Sequence, residues 1–368
     1  MRNRIRRGTM EKFDYMEKYG YEQLVYMHDR SSGLKGLICI HNTTLGPALG
    51  GTRIWEYANE DDAVLDVLRL ARGMTKKAAC AGLNLGGGKA VLIGNSKKLR
   101  QDTVRREAFW RAYGKYVESL GGRYITAEDV GTTPEDMEYI HMETKHVTGL
   151  RNTSGDPSPL TALGVYKGIK ACVKELTGTS KMDGMKVAIQ GLGHVGMIIC
   201  KHLADEGAIL YVSDIDNERV DEAVKQFNAT AVKPEEIIGL DVDIFCPCAL
   251  GAIINEETIP TLKCKIIAGC ANNVLKESAV DGQKIHDMGI LYAPDYVINA
   301  GGLINVYQEI IGYDYNSVVR QVDVIYDRIR EIIRTSKETN TPTYLVADNM
   351  AEKRIEMMRN ISSIYLGK

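Results

Sequence analysis

No stretch of this sequence approaches the roughly 20 consecutive apolar residues that a membrane-spanning helix needs. Its first residues, MRNRIRR, are basic but lack the apolar core of a secretion signal. They read as an arm ahead of the folded chain, with Met10 as an alternative start. An excess of one charge is missing too: 46 Lys and Arg stand against 48 Asp and Glu, a formal net charge of −2. So even a balance makes neither nucleic acid nor a membrane an expected partner. Eight cysteines occur, at 39, 80, 172, 200, 246, 248, 264 and 270, yet none forms a CxxC pair. Several lie in apolar runs, so they read as reduced core residues of a cytoplasmic protein. Cys246-Pro-Cys248 is the one close pair. No His, Cys, Asp or Glu set has metal-ligand spacing, and no metal is expected. Repeats and low-complexity tracts are absent as well.

What is present is a chain of 368 residues, too long for one ordinary core, so two domains are expected. The first part mixes short strand-like runs, LVYMHD (24–29) and KGLICIHN (35–42), with a Gly/Pro-rich loop. An amphipathic helix follows over 60–80, with Asn59 as its N-cap and three acidic residues at the positive end of its dipole. Next come a strand-like LNL, a glycine triplet, the strand AVLIG, a helix near 103–119 and the strand RYITAED. The segment RNTSGDPSPL (151–160), polar and twice interrupted by proline, reads as the linker. Beyond it, helix 161–177, strand 185–190, helix 195–206 and strand 209–214 alternate, and further strands follow at 243–248, 265–270 and 290–295. That alternation means a parallel, doubly wound sheet. Val318, Val322, Ile325, Ile329 and Ile332 form one apolar helical stripe.

The expected fold is therefore α/β in two domains. An N-terminal α/β substrate and catalytic domain spans 1–150, and a doubly wound Rossmann dinucleotide-binding domain spans 151–343, with a cleft between them. A terminal helix, about 344–368, folds back onto the first domain.

Gly191-Leu-Gly193-His194-Val195-Gly196 directly follows a strand and opens a helix. In that setting the first glycine permits the tight turn, the second lets the backbone approach a pyrophosphate, and the third allows helix to pack on strand. The helix N-terminus then faces the phosphates. Asp214 ends the next strand, where a carboxylate reaches the ribose hydroxyls. Its charge, with Asp216 beside it, opposes a 2′-phosphate, so NAD is expected rather than NADP.

Residues 73–89 read GMTKKAACAGLNLGGGK. On the helix, Lys76 continues a polar face through Arg72, Arg69, Asp66 and Asp62, whereas Lys77 continues an apolar one through Met74, Leu70 and Val67. Lys76 is thus expected in solvent and Lys77 facing inward, where an ammonium needs an anionic partner or a cleft. Lys89 follows the glycine triplet, which is read as clearing space for a ligand, and precedes an apolar strand. Asp129 lies at the C-terminal end of a strand, where ligand clefts form in α/β folds; on this ground alone Glu128 qualifies equally as the functional acid.

The motifs PALGGTR (47–53), GMTKKAACAGLNLGGGK (73–89), ITAEDVGTT (125–133), DPSPLTALGVYKG (156–168), GLGHVG (191–196), PCALGAIIN (247–255), AGCANN (268–273) and APDYVINAGGLINV (293–306) resemble the glutamate/leucine/phenylalanine/valine dehydrogenase family, in its leucine-type branch. The resemblance covers nearly the whole chain. It implies an NAD-dependent amino acid dehydrogenase that deaminates a branched-chain aliphatic L-amino acid, with phenylalanine or valine as the alternative side chains. It implies that Lys77 holds the substrate carboxylate with help from Asn273, that Lys89 is the general base, and that Asp129 shuttles protons at the amino group. Gly50 and Gly51 line the substrate site, and Leu49, Ala127, Leu303 and Val306 wall its side-chain pocket. Thr161, Asn272 and Asn299 contact the cofactor along with the glycine turn, with His194 as its neighbour. A homo-oligomer, an octamer, is implied as well. Lys76 departs from the tyrosine of many relatives. A 2-hydroxy acid dehydrogenase would need a histidine base, and no histidine lies in such a motif. A non-catalytic NAD-binding relative would have lost Lys77, Lys89 or Asp129, and all are present.

Overall fold

The structure, a computed structural model, describes residues 11–151, 153–249 and 251–362. The basic N-terminal arm, Met10 and the last residues of the expected terminal helix lie outside the described residues. The chain forms two compact units, divided between Gly155 and Asp156 and again between Arg354 and Ile355. The first division falls a few residues beyond the expected boundary.

In the first unit the elements run α1 (Lys12–Tyr19), β1 (Gln23–Asp29), β2 (Leu34–Asn42), β3 (Ala48–Trp55), α2 (Glu60–Cys80), β4 (Gly86–Ile93), α3 (Ser96–Gln101), α4 (Thr103–Glu118), β5 (Tyr124–Glu128) and α5 (Pro134–His141). The sheet order is β1-β2-β4-β3-β5. β2 and β4 are buried along almost their whole lengths, which explains their unbroken apolar runs. On one face, Leu37, Cys39 and Val91 pack against Val64, Val67, Leu68 and Ala71 of α2. On the other, Ile38, Ile40 and Leu92 pack against Phe109, Trp110 and Tyr113 of α4. α2 matches its expected span; the Asn59 side chain accepts from the Asp62 N–H at 2.9 Å and so caps a free donor.

The glycine triplet departs from expectation. LNL is irregular, and Gly86, Gly87 and Gly88 are the first residues of β4. They make room for protein rather than for a ligand. A Cβ on Gly86 would stand 2.0 Å from the Asn42 carbonyl oxygen, and one on Gly87 would stand 2.1 Å from the Thr75 nitrogen of α2.

The second unit contains α6 (Ser158–Thr177), β6 (Lys186–Gln190), α7 (His194–Asp205), β7 (Ile209–Ser213), α8 (Asn217–Phe227), β8 (Thr230–Ala231), β9 (Ile244–Pro247), β10 (Ile266–Ile267), α9 (Ser278–Asp287), β11 (Leu291–Tyr292), α10 (Asp295–Ile298), α11 (Gly301–Ile311) and α12 (Tyr315–Thr339). α13 (Thr343–Ser362) begins in this unit and passes into the first at residue 355, so only its later part goes with the first unit. The sheet order is β11-β10-β9-β6-β7-β8, every pairing parallel. Strand order reverses between β6 and β9, so the ligand crevice of a doubly wound sheet falls at their carboxyl ends. The expected α12 stripe is fully buried. Gly301 and Gly302 are the first residues of α11.

These contacts predict opposite outcomes for two glycine substitutions. Gly73 lies within α2 with nothing near its missing Cβ, so Gly73→Ala should stabilise the fold by about 0.5–1 kcal/mol. Gly87→Ala should destabilise it by about 1–3 kcal/mol through overpacking against Thr75. Urea unfolding of both variants checks the pair.

Candidate active site

Lys89 sits in the middle of β4, beside Cys39 of β2, and only 5% of it is exposed. A buried ammonium needs an anion. Its Nζ lies 3.1 Å from Oδ1 of Asp129, just past the end of β5. The Asp129 backbone N–H donates to Thr132 Oγ at 2.9 Å, and that hydroxyl donates to the Asp129 carbonyl at 2.8 Å, which fixes the turn. Asp129 Oδ2 accepts from Arg53 Nε at 3.0 Å. Arg53 in turn donates through Nη1 to Asp66 Oδ2 at 3.1 Å, and Tyr57 Oη donates to the same oxygen at 2.5 Å. Lys89, Asp129, Arg53, Asp66 and Tyr57 thus form one alternating chain of charge.

Burial pushes the Asp129 carboxyl up, but Lys89 and Arg53 together outweigh it and hold the group below the ordinary carboxylate range. Of the two neighbouring acids, Asp129 is the one paired with Lys89, whereas the Glu128 side chain lies beside Gly149.

Gly50 and Gly51 of β3 lie alongside. A Cβ on Gly50 would meet the Gly88 carbonyl oxygen at 1.8 Å, and one on Gly51 would meet Asp129 Cβ at 2.8 Å. They let β3 close against its neighbours, and Gly51 keeps the space next to Asp129 clear. Leu49 pairs with Gly87 and Ile125, and Gly51 pairs with Ala127. By strand alternation, Leu49, Gly51, Arg53 and Ala127 therefore share the sheet face of Lys89. α2 crosses this same face. Both of its lysines, Lys76 and Lys77, are half-buried, so Lys76 is not in open solvent as expected. On the same helix, Thr75 meets His41, which is buried and pushed down to about 4, by burial first and then by the charges of Arg72 and Lys76. Neutral His41 donates from Nε2 to the Tyr19 carbonyl at 3.0 Å and accepts at Nδ1 from Thr75 Oγ at 2.8 Å. Arg53, Asp66, Tyr57 and His41 were missed in the sequence; Arg53 stands within the PALGGTR motif, which was its one available signal.

In the second unit, Gly191 takes a left-handed φ of 101° that disfavours a side chain, and a Cβ there would also meet the Ala249 nitrogen at 2.8 Å. A Cβ on Gly196 would stand 2.1 Å from the Gly191 carbonyl oxygen, while Gly193 faces open space. α7 starts at exposed His194 with Gly193 as its N-cap and no side-chain cap, and Val195 is half-buried. Its first amides therefore remain for a phosphate. Asp214 does more than expected: Oδ2 accepts from the Leu192 N–H at 2.6 Å and Oδ1 from the Asp216 N–H at 2.9 Å. The carboxylate bolts the glycine turn to β7 and keeps further lone pairs for hydroxyl donors.

Thr161 packs against the start of α11, where a Cβ on Gly302 would meet its Oγ at 2.7 Å. Asn299 Nδ2 donates to the Cys270 carbonyl at 3.1 Å and to Asn272 Oδ1 at 2.8 Å, whereas its own Oδ1 is buried with no partner. A buried orphan acceptor is costly; the amide N–H of a nicotinamide carboxamide matches it. The residues present thus fit a nicotinamide dinucleotide. Asn273, exposed and with φ 52°, and Leu303 and Val306 on α11 also belong to this unit.

Residues 22–146 match the family model described as Glu/Leu/Phe/Val dehydrogenase, dimerisation domain, and residues 209–359 match Glutamate/Leucine/Phenylalanine/Valine dehydrogenase. Leucine dehydrogenase of Thermoactinomyces intermedius is 56% identical over 97% of either chain. L-tryptophan dehydrogenase of Nostoc punctiforme is 49% identical over 95% of this chain and 98% of that one. The crystal structure of the Nostoc enzyme covers 95% of this chain and 99% of its own with a TM-score of 0.82.

Removing Arg53 should expose what it does for Asp129. In Arg53→Ala, burial acts against one cation instead of two, so the Asp129 midpoint moves up. The carboxylate stabilises the fold above its unfolded value and loses that contribution as pH falls through the folded one. The variant should therefore lose about 1–3 kcal/mol at neutral pH and depend less on acid pH. Carboxyl chemical shifts and urea midpoints against pH measure both; an unmoved Asp129 would remove Arg53 from the site.

Proposed function

The chain belongs to the glutamate/leucine/phenylalanine/valine dehydrogenase family, and from that premise we propose that it catalyses the reversible, NAD-dependent oxidative deamination of a branched-chain aliphatic L-amino acid. Leucine is the leading substrate, with isoleucine and valine alongside, and the products are the 2-oxo acid, ammonia and NADH. The observation that carries the reading is the ion pair of buried Lys89 with half-buried Asp129.

Bound NAD supplies the acceptor for hydride from the substrate Cα. The chain's own residues supply everything else. Lys77 pairs with the α-carboxylate. Lys89, stripped of its proton, takes one from the water that attacks the iminium carbon. Asp129 receives that proton and delivers it to the departing amino group, so the salt bridge becomes a proton path of one step. Leu49 and Ala127 receive the side chain; both are apolar, so a branched alkyl group gains by desolvation while a charged one is stranded. Gly191, Gly193 and Gly196, with His194 and Val195, hold the pyrophosphate. Asp214 accepts from the ribose hydroxyls, and Thr161, Asn272 and Asn299 hold the nicotinamide. An aromatic substrate is the second reading, favoured by the tryptophan-specific name of the Nostoc relative.

A homo-oligomer, an octamer, goes with this reading. The first unit matches a model described as a dimerisation domain, and β1 is an edge strand carrying Tyr26 half exposed. A cytoplasmic location goes with it too: all eight cysteines are free thiols.

Purified protein given L-leucine, L-isoleucine or L-valine with NAD should form NADH. Inertness toward all three, with turnover of a 2-hydroxy acid, would overturn the reading; preference for tryptophan or phenylalanine would favour the second. Lys89→Ala should lose several orders of magnitude in turnover, and Lys77→Ala should raise KM for the amino acid as well.

Asp214→Asn keeps an oxygen acceptor but removes the charge. It should therefore narrow the preference for NAD over NADP, read as the ratio of kcat/KM for the two cofactors. An unchanged ratio would take Asp214 out of cofactor choice.

A further inference from the structure

Sequence reading left Cys246-Pro-Cys248 as an isolated pair. The fold brings Cys270 to it. β9 and β10 run in parallel register, Ile244 beside Ile266 and Phe245 beside Ile267, and they remain joined past the ends of both strands, where the Ala271 N–H donates to the Pro247 carbonyl at 3.0 Å. Cys248 follows β9 and Cys270 follows β10, so the two thiols emerge together at the carboxyl edge of the sheet. Cys246 Sγ lies 3.5 Å from Cys248 Sγ, and the Cys270 thiol donates to the Cys248 carbonyl at 3.9 Å. Cys246 is buried, whereas Cys248 and Cys270 are half-buried.

The three thiols are not equivalent. Hydrogen bonds from Cys246 and Cys270 draw the Cys248 thiol well below the ordinary thiol range against the opposing effect of burial, and Cys246 and Cys270 rise in return. Cys248 is thus the nucleophile of the set. Neighbouring strands bring Cα atoms to roughly 4.7–4.9 Å, inside the roughly 4.4–6.8 Å that a disulfide spans. Residues i and i+2 of one strand stand about 6.6 Å apart at a rise of about 3.3 Å per residue, near the far limit. Geometry therefore favours bonding Cys248 to Cys270 and leaves Cys246 as the acidifying donor.

We propose that Cys248 and Cys270 form a thiol-oxidation site that responds to low-molecular-weight disulfides and controls the dinucleotide site. The Cys248 thiolate attacks one sulfur of the small disulfide and expels the first reduced thiol. The Cys270 thiol then attacks Cys248 Sγ, forms the internal bond and expels the second. Two electrons and two protons leave the protein, and one disulfide becomes two thiols.

The consequence rests on the dinucleotide reading given above. Cys248 lies against the glycine turn: a Cβ on Gly191 would meet its carbonyl carbon at 2.8 Å, and one on Gly196 would meet its Cβ at 3.6 Å. The Cys270 carbonyl holds Asn299 Nδ2, which also holds Asn272. A bond between the two sulfurs pulls on the phosphate-binding turn and on the amide pair at once. By linkage, a dinucleotide that disfavours the bonded form also protects against its formation.

The test treats the full chain with oxidised glutathione, maps disulfides by peptide mass, and titrates NAD by fluorescence. Expected are a Cys248–Cys270 bridge, a loss of NAD affinity of about tenfold, reversal by dithiothreitol, and slower bridging when NAD is present. Before oxidation Cys270→Ser should match the reduced protein in NAD affinity; with oxidised glutathione it should form no internal bridge and instead keep glutathione as a mixed disulfide on Cys248, and Cys270→Ala serves if the serine variant folds poorly. In the unaltered chain, a Cys246–Cys248 bridge, a lasting glutathione adduct or no bridge would overturn the proposal, and so would a bridge that leaves NAD affinity unchanged. A reduced protein that binds no NAD would instead bring down the dinucleotide reading, while the mapped bridge still reports the thiol chemistry independently.

Discussion

The constraint from which the first unit follows is the ammonium of Lys89 inside β4. A charge taken out of water on a central strand is tolerated only beside an anion, and Asp129 is that anion at 3.1 Å. Asp129 must itself remain charged in a half-buried position, and a second cation, Arg53, holds it so. Arg53 then requires Asp66, and Tyr57 completes the coordination of Asp66. Each group answers the desolvation of the one before it. The chain starts on β4, passes through the turn after β5 and through β3, and ends on α2, so sheet and helix are tied together by these charges.

The glycines serve this constraint. For Lys89 to meet Asp129, β3 and β4 must approach with no side chains between them at Gly50 and Gly88, and α2 must lie directly on Gly87. The small residues that look like a ligand-binding loop in the sequence are therefore backbone contacts. The space they leave belongs to Gly51, next to Asp129. This is why the glycine triplet reads wrongly from sequence: glycine signals close approach, but the sequence does not say of what.

Local rules carried much of the rest. The α2 span and its Asn59 cap follow from short-range chemistry that needs no tertiary partner, and GLGHVG between a strand and a helix fixes the turn at β6. What escaped was every feature defined by residues distant in sequence. Arg53 is an ordinary strand arginine until Asp129 is brought beside it. Lys76 falls on the polar side of a helical wheel, yet in the folded chain it is half-buried. Cys270 is one scattered cysteine among eight until β10 is laid next to β9. The short strands β10 and β11 also carry too few residues for periodicity to define them, and their expected spans were too long.

The second unit depends on one carboxylate in a comparable way. Asp214 accepts from Leu192 and Asp216 with its two oxygens, so it shapes the glycine turn before any ligand arrives. A residue that only recognised ribose could be exchanged for another acceptor at little structural cost. One that also fixes the turn cannot, because the Leu192 N–H would be left without its partner. The same economy governs Asn299, which spends both donor bonds on Cys270 and Asn272 and keeps its acceptor unmatched. In both units these polar groups are held by backbone or charge partners on neighbouring elements, so their orientation is set by the fold.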